Sequence, residues 1–205
     1  MAGLLFLAFV YFAVGKAAVL RSGAQTAADA AALGAAQEAR DQLREGWLEV
    51  IGDPAQWPLF TSGAFGIDSG LACERAADLA ASNDAKLEDC TATSLRFDVR
   101  VQTNSAVGDS IVPDTEARKA TATATAVIEP RCSFVAPTPT EEPSPTDEPE
   151  PTGEPTATPS AEPQPEPELI LGLTCDDEAI IIDPENPLLP DAGALFRVRL
   201  TGDHE

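Results

Sequence analysis

Histidine is almost missing from this 205-residue chain: the only one, His204, is next to the last residue. A Ser/His/Asp or Cys/His arrangement would have to be built around a terminus that frays, and neither a phosphate loop nor a dinucleotide fingerprint occurs. The sequence therefore supports no catalytic reading, and neither a cofactor nor a small-molecule substrate is expected. Basic residues are scarce as well, 13 Lys and Arg against 34 Asp and Glu, for a formal net charge of -21 and a pI near 4.1. Nucleic acid phosphates would be repelled, which excludes nucleic acid as a partner. A negatively charged lipid surface is disfavoured for everything except an apolar helix. Closely spaced cysteine pairs are lacking, so a zinc site is not expected. Hydrophobic residues make up 43% of the chain, but many are alanines or lie in the first twenty positions, leaving at most one modest soluble core.

Proline is absent before Pro54, and Lys16 is the only charged residue before Arg21. Residues 2–20 are otherwise Leu, Phe, Ala, Val, Tyr and Gly, and about twenty such residues cross a hydrocarbon core of ~30 Å. An alanine-rich run from Ala24 to Ala36 follows directly, with nothing to stop the helix at the membrane surface. Extended to Trp47, such a helix is about 70 Å long at ~1.5 Å per residue. The expectation is a transmembrane helix with an Ala-rich extension over residues 1–51, a rod that carries the rest of the chain. A cleaved signal peptide is the weaker reading, since no Lys or Arg precedes the apolar run and the run is too long. Lys16 and Arg21 on the carboxyl side would by themselves put that side in the cytoplasm. The cysteines and the Thr/Pro stretch argue for the outside, and a basic segment upstream of Met1 is expected to be missing. Small residues let helices in lipid approach closely, so Gly3, Ala8, Gly15 and Ala18 are candidate packing positions inside the membrane. Ala24, Ala28 and Ala31 would continue that packing beyond it, and Asp29 is expected to be solvated or to pair with Arg21 or Lys16 of a neighbour.

Four cysteines, Cys73, Cys90, Cys132 and Cys175, all lie beyond the apolar segment, and an even count in an exported chain implies disulfides. Three pairings are open; the sequential one, Cys73 with Cys90 and Cys132 with Cys175, is preferred. Residues 52–135 read as a small α+β domain. It opens with a loop, Gly52 to Leu71, rich in Pro and Gly, around which Trp47, Trp57, Phe60 and Phe65 cluster; they fit a core better than a ligand surface or a subunit contact. A helical period follows from Ala72 to Ala80, with Asn83 as its stop, and then a strand over Lys86–Thr91. Leu95–Val101 alternates strictly, and Lys119–Ile128 alternates too, with Ala120, Ala122, Ala124, Ala126 and Ile128 on one face, whose small alanines imply that a helix packs closely there. The result is one short helix and an antiparallel sheet. Residues 136–168 hold eleven prolines and nine acids with no basic residue, so they should stay unfolded, favouring extended polyproline II with a contour of about 100 Å. Threonines beside proline, such as Thr138, Thr140, Thr146 and Thr156, are candidate O-glycosylation sites, against a bare acidic spacer. Residues 169–205 carry three short strands, expected to join the preceding sheet. The acids Asp176, Asp177 and Glu178 read as a solvated turn rather than a calcium site, lacking EF-hand spacing.

The block Arg21-Ser22-Gly23-Ala24-Gln25-Thr26-Ala27-Ala28-Asp29-Ala30-Ala31-Ala32-Leu33, placed straight after an apolar segment, resembles the amino-terminal signature of the TadE/TadG-like proteins of tight-adherence (Flp-type) pilus systems. The stretch Cys73 to Arg100 is similar to the small actinobacterial members. Together the matches cover roughly the first 130 residues. The resemblance implies a non-enzymatic minor pilin or pilus-assembly component, single-pass in the plasma membrane with its carboxyl domain outside, whose partners are membrane lipid and other pilus subunits. The Glu that a prepilin-peptidase motif places five residues into the apolar run is missing. The other reading is a membrane-anchored cell-envelope binding module whose Pro/Thr tract projects the tail toward a surface ligand.

Overall fold

A computed structural model describes residues 2–106, 117–135, 169–183 and 185–202, with side chains described from residue 3 except at 5, 6, 9 and 13. Helix α1 runs unbroken from Ala2 to Glu49, as its alanines and lack of proline require. In its apolar first part Leu4, Leu7, Tyr11, Phe12, Val14 and Val19 are exposed among the described residues. Among the described residues no helix is long and apolar enough to cross a membrane. The second part is not a free rod. From Ala24 to Ala39 the alanines at 24, 27, 28, 31, 32, 35, 36 and 39 are fully buried in the chain's own core. The side chain of Asp29 accepts a hydrogen bond from Gln25 Nε2 at 2.8 Å within α1.

Two layers enclose this stripe. Strands β1 (Ala85–Thr93), β2 (Arg96–Ala106), β3 (Lys119–Pro130) and β7 (Phe196–Thr201) form an antiparallel sheet in the order β1-β2-β3-β7. Phe97, Val99 and Val101 of β2, with Ala124, Ala126 and Ile128 of β3, are buried toward α1. The alternation of β3 thus meets a helix whose facing residues are also alanines, which lets the two backbones approach closely. Helix α3 (Ser69–Ser82) packs beside α1 and against β1, with Ala72, Ala76 and Ala80 buried. Gly34 of α1 lies against Leu79 and the backbone of Arg75. Asp68 caps α3 by accepting from the amides of Gly70 (2.8 Å) and Leu71 (3.2 Å), and Asn83 ends it. Gln42 of α1 grips the start of α3 twice, accepting from the Asp68 amide at 2.8 Å and donating to its carbonyl at 3.4 Å.

The connection from α1 to α3 holds a 3-10 turn, Pro54–Gln56, and the short helix α2, Trp57–Thr61. The tail departs from expectation. Of its strands only β7 joins the main sheet, beside β3 (Val127↔Arg199, Ile128↔Val198). Strands β5 (Ile170–Cys175) and β6 (Glu178–Ile182) instead pair with β4 (Cys132–Phe134) in a second sheet of three strands. The cause is local: β4 follows β3 after only Arg131, and Cys132 stands directly opposite Cys175. A short helix α4 (Ala192–Leu195), capped by Asp191, returns the chain to the main sheet.

The alanine stripe has a measurable consequence. Ala31→Leu should lower stability to urea by about 1–3 kcal/mol through overpacking, whereas Ala18→Leu, on the exposed part of α1, should leave it unchanged. Urea unfolding of the full chain in detergent, followed by tryptophan fluorescence, compares the two.

Candidate interaction surfaces

Two ends of the head can be told apart by following α1. Near its apolar part lie the end of β2 and the start of β3, since Ala106 pairs with Lys119 and Gln25 Nε2 reaches the Thr123 carbonyl at 3.4 Å. The far end is aromatic. Trp47 stacks on Phe60 at 5.6 Å, meets Trp57 edge-on at 5.9 Å and lies 6.0 Å from Phe196, while Trp57 sits 4.8 Å from Phe134. Trp47, Trp57 and Phe60 are buried, so this cluster is core that welds the small sheet to the end of α1, and its rings offer no ligand surface. Arg44 fastens the tail to the same end, its Nε donating to the Pro190 carbonyl at 2.9 Å.

Both disulfides are formed in sequential pairing. Cys73 in α3 bonds Cys90 in β1 with α-carbons 5.9 Å apart, and Cys132 bonds Cys175 with α-carbons 4.0 Å apart. The second fixes where the proline-rich tract begins and ends. Residues 136–168, with the polyproline and glycosylation expectations that fall on them, lie outside the described residues. Their two attachment points are neighbours: the Val135 amide donates to the Gly172 carbonyl at 3.0 Å. Gly172, at φ +100°, lets the Val135 carbonyl lie where a Cβ would stand. A tract tied at both ends to adjacent strands does not carry the tail away from the head, which removes the spacer geometry expected of an envelope-binding module. Asp176 and Asp177, with φ 46° and 69°, form the two-residue turn between β5 and β6, as the primed hairpin turns require. Asp176 is also ion-paired with Arg131. Among the described residues no group of three or more potential ligands is arranged to hold a metal ion.

The sheet face turned away from α1 is polar. Arg96 forks onto Asp98 at 2.8 and 2.9 Å, Thr125 donates to the same carboxylate at 2.6 Å, and Arg199 reaches Glu129 at 2.6 Å. The Arg96 hydrogen bonds hold the Asp98 carboxyl below its ordinary pKa, outweighing its partial burial, with help from Thr125.

Of the packing positions expected on α1, Gly3, Ala8, Gly15 and Ala18 are exposed, and a Cβ at Gly3 or Gly15 would touch nothing. Ala24, Ala28 and Ala31 are turned inward onto the sheet and α3, where their small size serves the head's own packing. What the sequence reading missed is that both alanine runs, on α1 and on β3, cover each other; matching Ala-x-Ala periodicity on a strand to the Ala face of the preceding helix would have found it.

A depressed folded-state pKa means that Asp98 stabilises the head above its unfolded pKa and that this contribution is lost as pH falls through the folded value. Titration of its carboxyl carbon by NMR should show a midpoint below that of a model aspartate, and Arg96→Gln should move it back up.

No curated protein and no solved structure matches the chain. Residues 1–38, which hold the exposed apolar part of α1 and most of its buried alanine stripe, match the family model described as putative Flp pilus-assembly TadE/G-like.

Proposed function

We propose that this chain is a non-enzymatic structural or assembly component of a tight-adherence (Flp-type) pilus, minor-pilin-like, rooted in the plasma membrane by the first part of α1 with its head outside. The observation that carries this reading is the family match on residues 1–38, falling on a helix that is one piece with both an exposed apolar segment and the core of the head. Over the full sequence Ala2–Leu20 holds one charge, Lys16, so the segment has the composition of a span. A helix segment that is apolar on all sides and exposes its large side chains calls for lipid or protein around it. Two disulfides support an oxidising exterior for the head. Gly3, Ala8, Gly15 and Ala18 are the positions proposed to meet other pilus subunits within the bilayer.

The reading leaves a division of labour within α1. Its first part serves insertion and lateral contact, and its second part orders the head, so that the head's orientation is set by the helix and not by a flexible linker. In cells that make such pili, alkaline carbonate should leave the chain in the membrane fraction, external protease should reach the head, and the chain should copurify with pilus-assembly proteins. Recovery of the chain in the wash with its first forty residues intact, or surface pili unaffected by its deletion, overturns the proposal.

A further inference from the structure

The small sheet ends on an open edge. Its strand order is β4-β5-β6, so β6 has a strand on one side only. The two-residue turn makes Cys175 and Glu178 a hydrogen-bonded pair, and in an antiparallel ladder such pairs alternate. The amides and carbonyls of Ala179 and Ile181 therefore point away from β5, and among the described residues no further hydrogen bond reaches them. Edge strands are kept from pairing by charge, proline or a bulge. The edge of the main sheet has such a guard: β1 carries Lys86, Glu88 and Asp89, with a register shift between Leu87 and Asp89. In β6 the run Ala179-Ile180-Ile181-Ile182 has neither charge nor proline, and Ile181 is 59% exposed.

Beside this edge lies a cleft of about 500 Å³, lined by Glu178, Ala179, Ile180 and Ile181 of β6 and by Pro190 and Ala194. Both sides are held in place. Arg131 pairs with Asp176 at the turn and donates to the Gly193 carbonyl at 3.1 Å, which ties one side to the other. Arg44 of α1 holds Pro190 through its carbonyl at 2.9 Å. A cleft fixed in this way is filled with little ordering of its own walls.

The rim is acidic. Asp177 and Glu178 stand at one end of β6, Asp183 and Glu185 at the other, and none of them is ion-paired among the described residues. Every Lys and Arg of the chain lies among the described residues, so the remaining segments bring neither to this rim. A second copy would bring 34 acids against 13 bases to it. Charge complementarity selects a basic partner.

We infer that β6 takes an extended segment of a partner protein as a further strand of the small sheet, an aliphatic segment flanked by Lys or Arg. Main-chain hydrogen bonds to Ala179 and Ile181 hold it, its aliphatic side chains cover Ile181 and enter the cleft, and its cations face Glu178 and Asp183. The site belongs to the head and does not depend on how α1 is anchored.

The test is fluorescence anisotropy of the full chain in nonionic detergent with a short labelled valine-threonine peptide bearing a lysine at each end. This peptide should bind, and its counterpart with glutamates in place of the lysines should not. N-methylation of its amides, which keeps charge and side chains, should weaken binding about ten-fold. Glu178→Gln should weaken it about three-fold, as loss of one exposed ion pair does. Ala179→Pro removes an outward amide without touching the pairing with β5 and should weaken it about five-fold. Unchanged urea midpoints report that the variants fold; should Ala179→Pro shift its midpoint, the N-methylated peptide reads the same hydrogen bonds on the wild-type chain. Equal binding of the three peptides, or binding of none, overturns the inference. So does a dimer of the chain that Ala179→Pro dissolves, which would assign the edge to a second copy.

Discussion

Close approach between α1 and the sheet is the constraint on which the head depends. The buried face of α1 from Ala24 to Ala39 carries no side chain larger than a methyl at eight positions, and β3 answers with Ala124 and Ala126. Methyl against methyl brings two backbones near enough that many weak dispersion contacts form at once. The stripe yields little transfer free energy per residue, so larger groups are supplied beside it by Phe97, Val99 and Val101 of β2, in register with the alanines of β3, and beyond it by Leu43, Trp47, Trp57, Phe60 and Phe196 at the far end of α1. A small core of this kind gains from covalent bracing, and the two disulfides join elements from different layers or strands rather than neighbours in one helix.

Most local structure was legible in the sequence because it is written in short periods. The alternation of Leu95–Val101 and of Lys119–Ile128, the four-residue spacing of Ala72, Ala76 and Ala80, and the stop at Asn83 each depend on residues within one or two turns. What was not legible depends on partners far apart in the chain. Whether Ala28 and Ala31 face a neighbour or their own sheet is decided by residues some ninety positions later, and composition is the same in both cases. The assignment of β5 and β6 to a separate sheet turns on the Cys132–Cys175 bond and on Arg131, which leaves β4 no room to continue β3. Alanine-rich sequence thus announces a helix reliably, and says little about what lies against it.

The exposed apolar stretch at the near end and the aromatic weld at the far end place opposite demands on one helix. At the near end α1 exposes Tyr11, Phe12 and Val19; at the far end Trp47 is buried against three rings, Phe196 of the tail and Trp57 and Phe60 of the connection to α3. Because α1 is unbroken between them, a change in how it sits in its surroundings is passed to the head without a hinge to absorb it.

The paired roots of the proline-rich tract at Val135 and Gly172 make its length a free variable. Closing a longer loop costs free energy only logarithmically, and both roots are already locked by a covalent bond and by strand pairing. Residues gained or lost between those roots would leave β5, β6 and β7 in their places. That is the arrangement under which a surface feature can vary in size from one lineage to the next without refolding the domain that bears it.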